Sequence, residues 1–210
     1  DTNTRALYTW ANTLEGGTQP SIWSGQYEVY RGGTRIATVS PPASGDPEYT
    51  DYAVGSGVSY PYVVRATDNN GTYTDSAAVS ATLTISGGVY LHDPRDAVNT
   101  SHFFNYREVT ASDTRRHQAG EFMFAGRSAP VVQFDPYMTE RNLRLRIALP
   151  DDVTDRTKLE SLFGRRTTLC LRDHRGRKLY GVITELPIED LLRFGWATID
   201  FRVVDYKEAV

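Results

Sequence analysis

Residues 167–186 read Thr-Thr-Leu-Cys-Leu-Arg-Asp-His-Arg-Gly-Arg-Lys-Leu-Tyr-Gly-Val-Ile-Thr-Glu-Leu, and residues 196–206 read Trp-Ala-Thr-Ile-Asp-Phe-Arg-Val-Val-Asp-Tyr. In the first part, two alternating runs flank Asp173-His174-Arg175-Gly176, a polar tetrad that ends in glycine. This pattern predicts a β-hairpin whose turn needs a residue tolerant of positive φ. The second part predicts a strand with apolar residues on one face and Asp200 and Arg202 on the other. The apolar face would hold Ala197, Ile199, Phe201 and Val203.

Upstream of the hairpin, the period of the sequence changes from two to that of a helix. Residues 142–149 alternate, with Leu and Ile on one face and arginines on the other, and predict a strand closed by Pro150. Asp155–Arg166 predicts a helix that Thr154 or Asp155 caps and Gly164 ends, with Leu159, Leu162 and Phe163 as its apolar stripe. Asp135-Pro136 is expected to stop an earlier strand, and residues 187–194 to hold a helical turn. This order of strands, one helix and further strands predicts a small barrel or sandwich with one helix beside it.

Composition and charge favour a folded, mainly β protein with two domains. Of the 210 residues, 40% are hydrophobic and 23% charged, and no apolar run has the length of a membrane helix. Residues 1–86 carry four basic and eight acidic side chains, whereas residues 117–210 carry fifteen and fourteen. This asymmetry predicts two domains with different roles. The chain begins at Asp1 without an initiator Met, so we expect it to derive from a longer polypeptide.

Residues 1–86 predict a small β-sandwich of short strands separated by Gly, Asn and Pro turns. Alternation is clearest in Gln26–Arg31, which stops at Gly32-Gly33, and in Ser59–Thr67. On these residues, together with Tyr49-Thr-Asp51 and Asn69-x-Gly71, the region resembles a fibronectin type III domain. The resemblance implies that Trp10 is the core tryptophan of the second strand and that Tyr60 forms the tyrosine corner.

Residues 87–119 follow the glycine pair Gly87-Gly88 and are too rich in aromatic and aliphatic residues for a simple tether. We interpret them as an extended arm, partly strand, that lies on the next domain or on a neighbouring subunit. The candidate interface residues in this arm are Tyr90, Leu91, Phe103 and Phe104. Residues 120–210 are then the second domain.

Residue types that carry catalysis or bind metals do not form a recognisable pattern. The four histidines, His92, His102, His117 and His174, lack metal-ligand spacing, so no metal or other cofactor is predicted. The single Cys170 lies in an alternating run, as a packing residue would, and acidic pairs such as Asp151-Asp152 fall at element ends, where capping explains them. No catalytic residue is therefore predicted.

The strongest charged feature is a cluster of arginines around the hairpin. Acidic residues interleave with it and no aromatic stacking pattern accompanies it, so inter-subunit ion pairs are favoured over nucleic acid. Arg172, Arg175 and Arg177 are the candidate interface residues of this cluster.

About residues 88–210 resemble the tail-tip and distal tail proteins of long-tailed bacteriophages. The resemblance is carried by Val89-Tyr-Leu-His-Asp-Pro, by Leu143-x-Leu-x-Ile through Leu162-Phe-Gly, by the hairpin and by Ile199-x-Phe201-x-Val-Val-Asp-Tyr206. It implies a tail-tube-like β-barrel with one flanking helix, which assembles as a ring of three or six copies between tail tube and host-recognition apparatus. The implied partners are copies of the chain, tail-tube and tail-tip neighbours and, as a candidate, the host surface. The resemblance implies that the protein is localised in the virion after its synthesis in the host cytoplasm.

The alternative is a secreted carbohydrate-binding or enzyme-accessory protein, because fibronectin-like modules often accompany carbohydrate-active enzymes. That reading predicts a glycan-binding face on Trp23, Tyr27 or Tyr30.

Overall fold

The structure is a computed structural model, and it describes residues 6–9, 26–40, 46–67, 71–104, 111–126, 128–150, 153–190 and 194–207. The described chain is mainly β, with several sheets and two helices. The strands are β1 Ala6–Thr9, β2 Gln26–Arg31, β3 Thr34–Val39, β4 Glu48–Asp51, β5 Ser59–Thr67, β6 Tyr73–Asp75, β7 Val79–Thr82, β8 Val89–His92, β9 His102–Phe104, β10 Ala111–Phe122, β11 Val131–Pro150, β12 Leu169–Asp173, β13 Lys178–Glu185, β14 Ile188–Asp190 and β15 Phe194–Val203. The helices are α1 Ala97–Thr100 and α2 Val153–Gly164. Neither has the length and apolar character needed to cross a membrane.

The chain divides into two compact units. The first holds the described residues up to Ser86 together with Arg172–Lys178 and Lys207. The second holds the described residues of 87–171 and 179–206. The domain bounds predicted from the sequence stay a prediction.

The first unit contains two antiparallel sheets. One pairs β1 with β4; the other has the order β3-β2-β5-β6, with β7 also on β5. Gly32 and Gly33, at φ of +57° and +83°, join β2 to β3 as the glycine pair predicts. The alternating residues of β2 and β5 place Val29 and Tyr62 in a core with Val54.

The second unit is built on one eight-stranded sheet in the order β10-β11-β15-β13-β12-β8-β9, with β14 on β15. One face of residues 143–149 of β11 and of residues 197–201 of β15 is buried, as the alternation predicts. Its residues pack with those of β8, β9, β12 and α2 into a single core, which holds Val89, Leu91, Phe104, Leu143, Leu145, Ile147, Leu149, Leu159, Leu162, Leu169, Leu171, Ala197, Ile199 and Phe201.

The predicted helix is confirmed, with corrections to its start and to its apolar stripe: Thr154 and Asp155, predicted to cap it, lie inside the helix. It begins at Val153 and ends at Gly164. Leu159 and Leu162 are buried, whereas Phe163 is 40% exposed. Phe163 lies about 100° around the helix from Leu162, which takes its ring off the buried face.

The predicted hairpin is confirmed by the pairing of β12 with β13. Asp173 organises its turn, because the carboxylate accepts hydrogen bonds from the backbone N–H groups of Arg175 and Arg177. Gly176 has a φ of +81°, the positive value that the turn requires. Cys170 is fully buried in β12, as a packing residue would be.

Two sequence predictions are wrong. The strand expected to stop at Asp135-Pro136 continues as the twenty-residue β11. Its pairing with β10 shifts register between His117 and Ala119, and the paired positions jump from Thr139 to Phe134. Pro136 therefore falls where no ladder donor is needed. Residues 188–190, expected within a helical turn, form β14 on the edge of β15.

The segment interpreted as an arm contains two strands of the eight-stranded sheet. β8 and β9 pair through Val89↔Phe104, Tyr90↔Phe103 and Leu91↔His102. Strand β10 then begins at Ala111, inside the segment that the sequence assigns to the arm. Trp10, Trp23 and Asn69 lie outside the described residues.

Candidate assembly surface

The most exposed apolar surface of the second unit lies on a ribbon of two strands. Strand β15 pairs with residues 142–150 of β11, whereas β10 continues to pair with β11 as far as Phe122↔Val131. Residues 115–122 and 131–141 thus form an extension with two described strands, which we call the ribbon. A two-stranded sheet is marginally stable in water without a packed face.

The tip of the ribbon, residues 119–134, carries large apolar side chains that are open to solvent. Met123 is 70% exposed and Phe134 61%. Phe122, Phe124 and Val132 are also exposed. In sequence the tip holds only two charged residues, Glu121 and Arg127, of opposite sign. Several exposed large apolar side chains in one short segment mark a candidate interaction site.

The base of the ribbon is fixed to the sheet by side-chain contacts. Arg141 donates two hydrogen bonds to the carboxylate of Asp113, at 2.9 and 2.6 Å. The hydrogen bonds raise the pKa of Arg141. Nearer the tip, the ring of His117 meets Phe134 edge-on, with 6.2 Å between ring centroids.

The predicted interface residues of the arm differ in accessibility. Leu91 and Phe104 are fully buried in the core of the second unit, and Tyr90 is nearly so. Phe103 is 38% exposed, and its ring packs against Tyr90 with 4.9 Å between centroids. Of these four side chains, Phe103 is therefore the one that can contact a neighbour without rearrangement.

The three predicted interface arginines also differ. Arg172 is fully buried, and Arg177 is half-buried in an ion pair with the buried Asp173. Arg175 is exposed in the turn. Burial and internal pairing leave Arg175 as the candidate for a contact with another chain.

A polar cleft of about 620 Å³ lies on the outer face of the second unit's sheet. Two of its arginines are already engaged within the chain. Arg144 donates two hydrogen bonds to Asp200, and Arg202 donates one to Glu140. Because its three arginines and three acidic residues balance, the cleft presents no net charge to a ligand. Its lining residues are Arg116, Glu140, Asn142, Arg144, Thr184, Glu185, Asp200, Phe201 and Arg202.

The histidines and acidic residues do not converge on a metal site. Within the described ranges, no three His, Cys, Asp or Glu side chains are placed to hold an ion. His92 is buried at the end of β8, and His174 is exposed in the hairpin turn. Burial, aided by the charge of Lys158, lowers the pKa of His102.

Two tyrosines of the first unit are in contact with an arginine. Arg65 stacks between Tyr30 and Tyr73, at 4.9 and 3.8 Å from their ring centroids. Arg65 also donates two hydrogen bonds to Asp75, and these lower the pKa of that carboxyl. Tyr27 is buried. Of the rings expected to meet a glycan, Tyr27 is therefore buried and Tyr30 is covered on one face, and Trp23 lies outside the described residues.

Sequence reasoning missed the ribbon tip as a site. Phe122 and Phe124 alternate with Glu121 and Met123, which is also the pattern of a core strand. One signal could have separated the two interpretations, because the residue between the two phenylalanines is the apolar Met123 and not a polar residue. A strand that is apolar on both faces is either central in a sheet or covered by another chain.

Comparison with known proteins gives one partial match. No family model matches the chain. The curated protein Exoglucanase B of Cellulomonas fimi is 41% identical to this chain over 83 residues. The aligned stretch covers 39% of this chain and 7% of that protein.

Proposed function

We propose that the protein is a structural subunit of a phage tail tip, which assembles with copies of itself into a ring between the tail tube and the host-recognition apparatus. The observation that carries the proposal is the ribbon, with its solvent-exposed apolar tip. An extension of two strands with five exposed Phe, Met and Val side chains gains stability when another chain covers it. The resemblance of residues 88–210 to distal tail proteins supplies the identity of the assembly.

The finer architecture belongs to the same proposal. The first unit is a fibronectin type III-like sandwich: the Tyr60 hydroxyl accepts a hydrogen bond at 3.1 Å from the N–H of Gly55, just before β5, as a tyrosine corner does. The second unit is a tail-tube-like barrel. What supports this is that its described strands form one sheet from β10 to β9, whose core also takes in residues of α2.

The test is the mass of the purified protein in solution. We expect multi-angle light scattering to give a multiple of the monomer mass, and electron microscopy to show rings of three or six copies.

Phe134→Ser should shift the protein to monomers, because it removes an apolar ring that is 61% exposed. Phe163→Ser is the matched control, since Phe163 is an exposed phenylalanine on α2, outside the ribbon. A chain that is monomeric at every concentration and absent from virions would contradict the proposal.

The second candidate is a carbohydrate-binding or enzyme-accessory role. It is favoured by the match to an exoglucanase, whose 83 aligned residues have about the length of the module predicted for residues 1–86. The stacking of Arg65 on Tyr30 and Tyr73 weighs against a free glycan platform. A glycan array with the parent chain and with Tyr30→Ala decides between the two, because binding that Tyr30→Ala abolishes would favour the accessory role.

A further inference from the structure

The polar cleft on the outer face of the second unit's sheet carries charge of opposite sign at its two ends. One end holds Arg116 of β10, Glu140 of β11 and Arg202 of β15, with Asn142 beside Arg202. In the ladder, Arg116 is paired with Glu140 and Asn142 with Arg202. Directly paired residues have their side chains on the same face, so two guanidinium groups and one carboxylate meet here. We call this the positive end.

The other end of the cleft has an excess of carboxylate. Arg144 of β11 is paired with Asp200 of β15 and donates two hydrogen bonds to it. Glu185 of β13 is paired with the same Asp200 from the opposite side. The hydrogen bonds to Asp200, chiefly, raise the pKa of Arg144, and the charge of Glu185 adds to the effect. Two carboxylates and one guanidinium group make this the negative end.

Each end keeps groups that the fold does not use. Arg116 and Glu185 are exposed, and within the described part of the chain neither forms a hydrogen bond or an ion pair. Arg202 donates one hydrogen bond, to Glu140, which leaves further N–H groups of its guanidinium. The side-chain amide of Asn142 forms no hydrogen bond to the described residues either. The cleft therefore offers donors to an anion at one end and a carboxylate to a cation at the other.

We propose that this cleft binds a short peptide with free termini, whose carboxylate meets Arg116 and Arg202 and whose ammonium group meets Glu185. The strand register sets the length of the ligand. The midpoint between the two arginines lies about two strand spacings and about three residues from Glu185, which is roughly 14 Å. A fully extended peptide of four residues spans at most about 14 Å. Asn142 can donate to and accept from a peptide group along this path.

Other classes of small ligand fit the cleft less well. Its volume of about 620 Å³ suits a small molecule. Among its described lining residues Phe201 is the one aromatic, and it is 1% exposed, so a sugar ring finds no aromatic face to stack on. A phosphate or nucleotide would meet Glu140 or Asp200 beside each engaged arginine, and these carboxylates repel it.

The experiment titrates the full chain with tetra-alanine by isothermal titration calorimetry, at about pH 7 and low salt. Acetylation of the peptide's N-terminus removes the ammonium group, and amidation of its C-terminus removes the carboxylate. The variants are Arg116→Gln and Glu185→Gln, which leave the fold intact because both side chains are exposed and form no bond to described residues. Arg115→Gln is the matched control, because Arg115 is an exposed arginine on the opposite face of β10.

We expect each blocking group to weaken binding to the parent chain by about tenfold or more, because a hydrogen bond between charged groups is lost. Amidation should have a smaller effect on Arg116→Gln than on the parent, acetylation should have a smaller effect on Glu185→Gln, and Arg115→Gln should behave as the parent does. Tetra-alanine that does not bind, or that binds equally well with either terminus blocked, overturns the proposal. Sensitivity to amidation alone would show a site for anions only and overturns it too.

Discussion

At the scale of single residues, a buried carboxylate holds the first unit together. Asp51 is 1% exposed and accepts hydrogen bonds from Arg31 at 2.7 Å, from the Tyr62 hydroxyl at 2.9 Å and from the N–H of Ala53. These bonds tie β4, in one sheet, to β2 and β5 in the other. Asp51→Asn leaves the charge of Arg31 buried without its counter-ion. We expect it to lower the free energy of unfolding by about 3 kcal/mol.

Urea denaturation followed by circular dichroism measures this loss. Asp75→Asn is the control, because Asp75 forms its ion pair with Arg65 at the surface, where such pairs add little stability. The interpretation fails if Asp51→Asn unfolds at the same urea concentration as the parent chain.

His102 gives the second unit a dependence on pH. Burial, chiefly, holds the pKa of His102 below its ordinary value of 6.5 in the folded state, with Lys158 adding to the effect and Asp155 opposing it. The unfolded chain therefore binds this proton more tightly. The stability that His102 contributes is fully present above about pH 6.5, the pKa of the unfolded imidazole, and falls as the pH drops toward the lowered pKa of the folded state.

We expect His102→Gln to lose less stability than the parent between about pH 7.5 and 5.5, because it has no imidazole to protonate. Urea midpoints at the two pH values measure the difference, and His174→Gln, at an exposed turn position, serves as the control. An identical pH dependence in the parent and in His102→Gln would show that another group is responsible.

At the scale of elements, two glycines with different backbone angles should respond in opposite directions to alanine. Gly176 has a φ of +81° in the hairpin turn, and an added Cβ would lie 3.1 Å from the carbonyl oxygen of Ser56. Gly176→Ala should cost about 1–2 kcal/mol of the free energy of unfolding.

Gly164 ends α2 without a positive φ, and an added Cβ meets nothing within 4 Å. Gly164→Ala should add up to about 1 kcal/mol. Thermal unfolding measures both changes, and a shift in the same direction for the two variants would contradict this account.

The elements that the sequence predicts well are those with one buried face. Residues 142–149 and 197–203 alternate because β11 and β15 each have a core side and a solvent side. The hairpin follows from Asp173 and Gly176, whose local chemistry sets the turn. The ribbon tip was not predictable as a site, because Phe122 and Phe134 carry the same apolar signal whether the chain's own core or another chain covers them. Arg172, interpreted as an interface residue from its charge, is fully buried, because both faces of β12 are covered and the alternation in its sequence does not show this.

At the scale of the whole molecule, the response of the assembly to salt distinguishes its two candidate contacts. A ribbon tip whose two charges cancel should hold copies together through apolar burial, which added NaCl does not weaken. Contacts through exposed arginines such as Arg175 should weaken as salt screens them. We therefore expect the same sedimentation coefficient in about 0.05 and 0.5 M NaCl. Dissociation at the higher concentration would assign the assembly to the arginines.

Strand β11 belongs both to the core and to the ribbon, and this continuity has a mechanical consequence. A pull on the tip along the strand axis travels through one unbroken backbone into the nine paired positions that join residues 142–150 to β15. Because the force runs parallel to the strands, it loads this ladder in shear. The hydrogen bonds of the ladder must then break together and not one after another. Force applied to the tip would thus be resisted by the whole paired length of residues 142–150 at once.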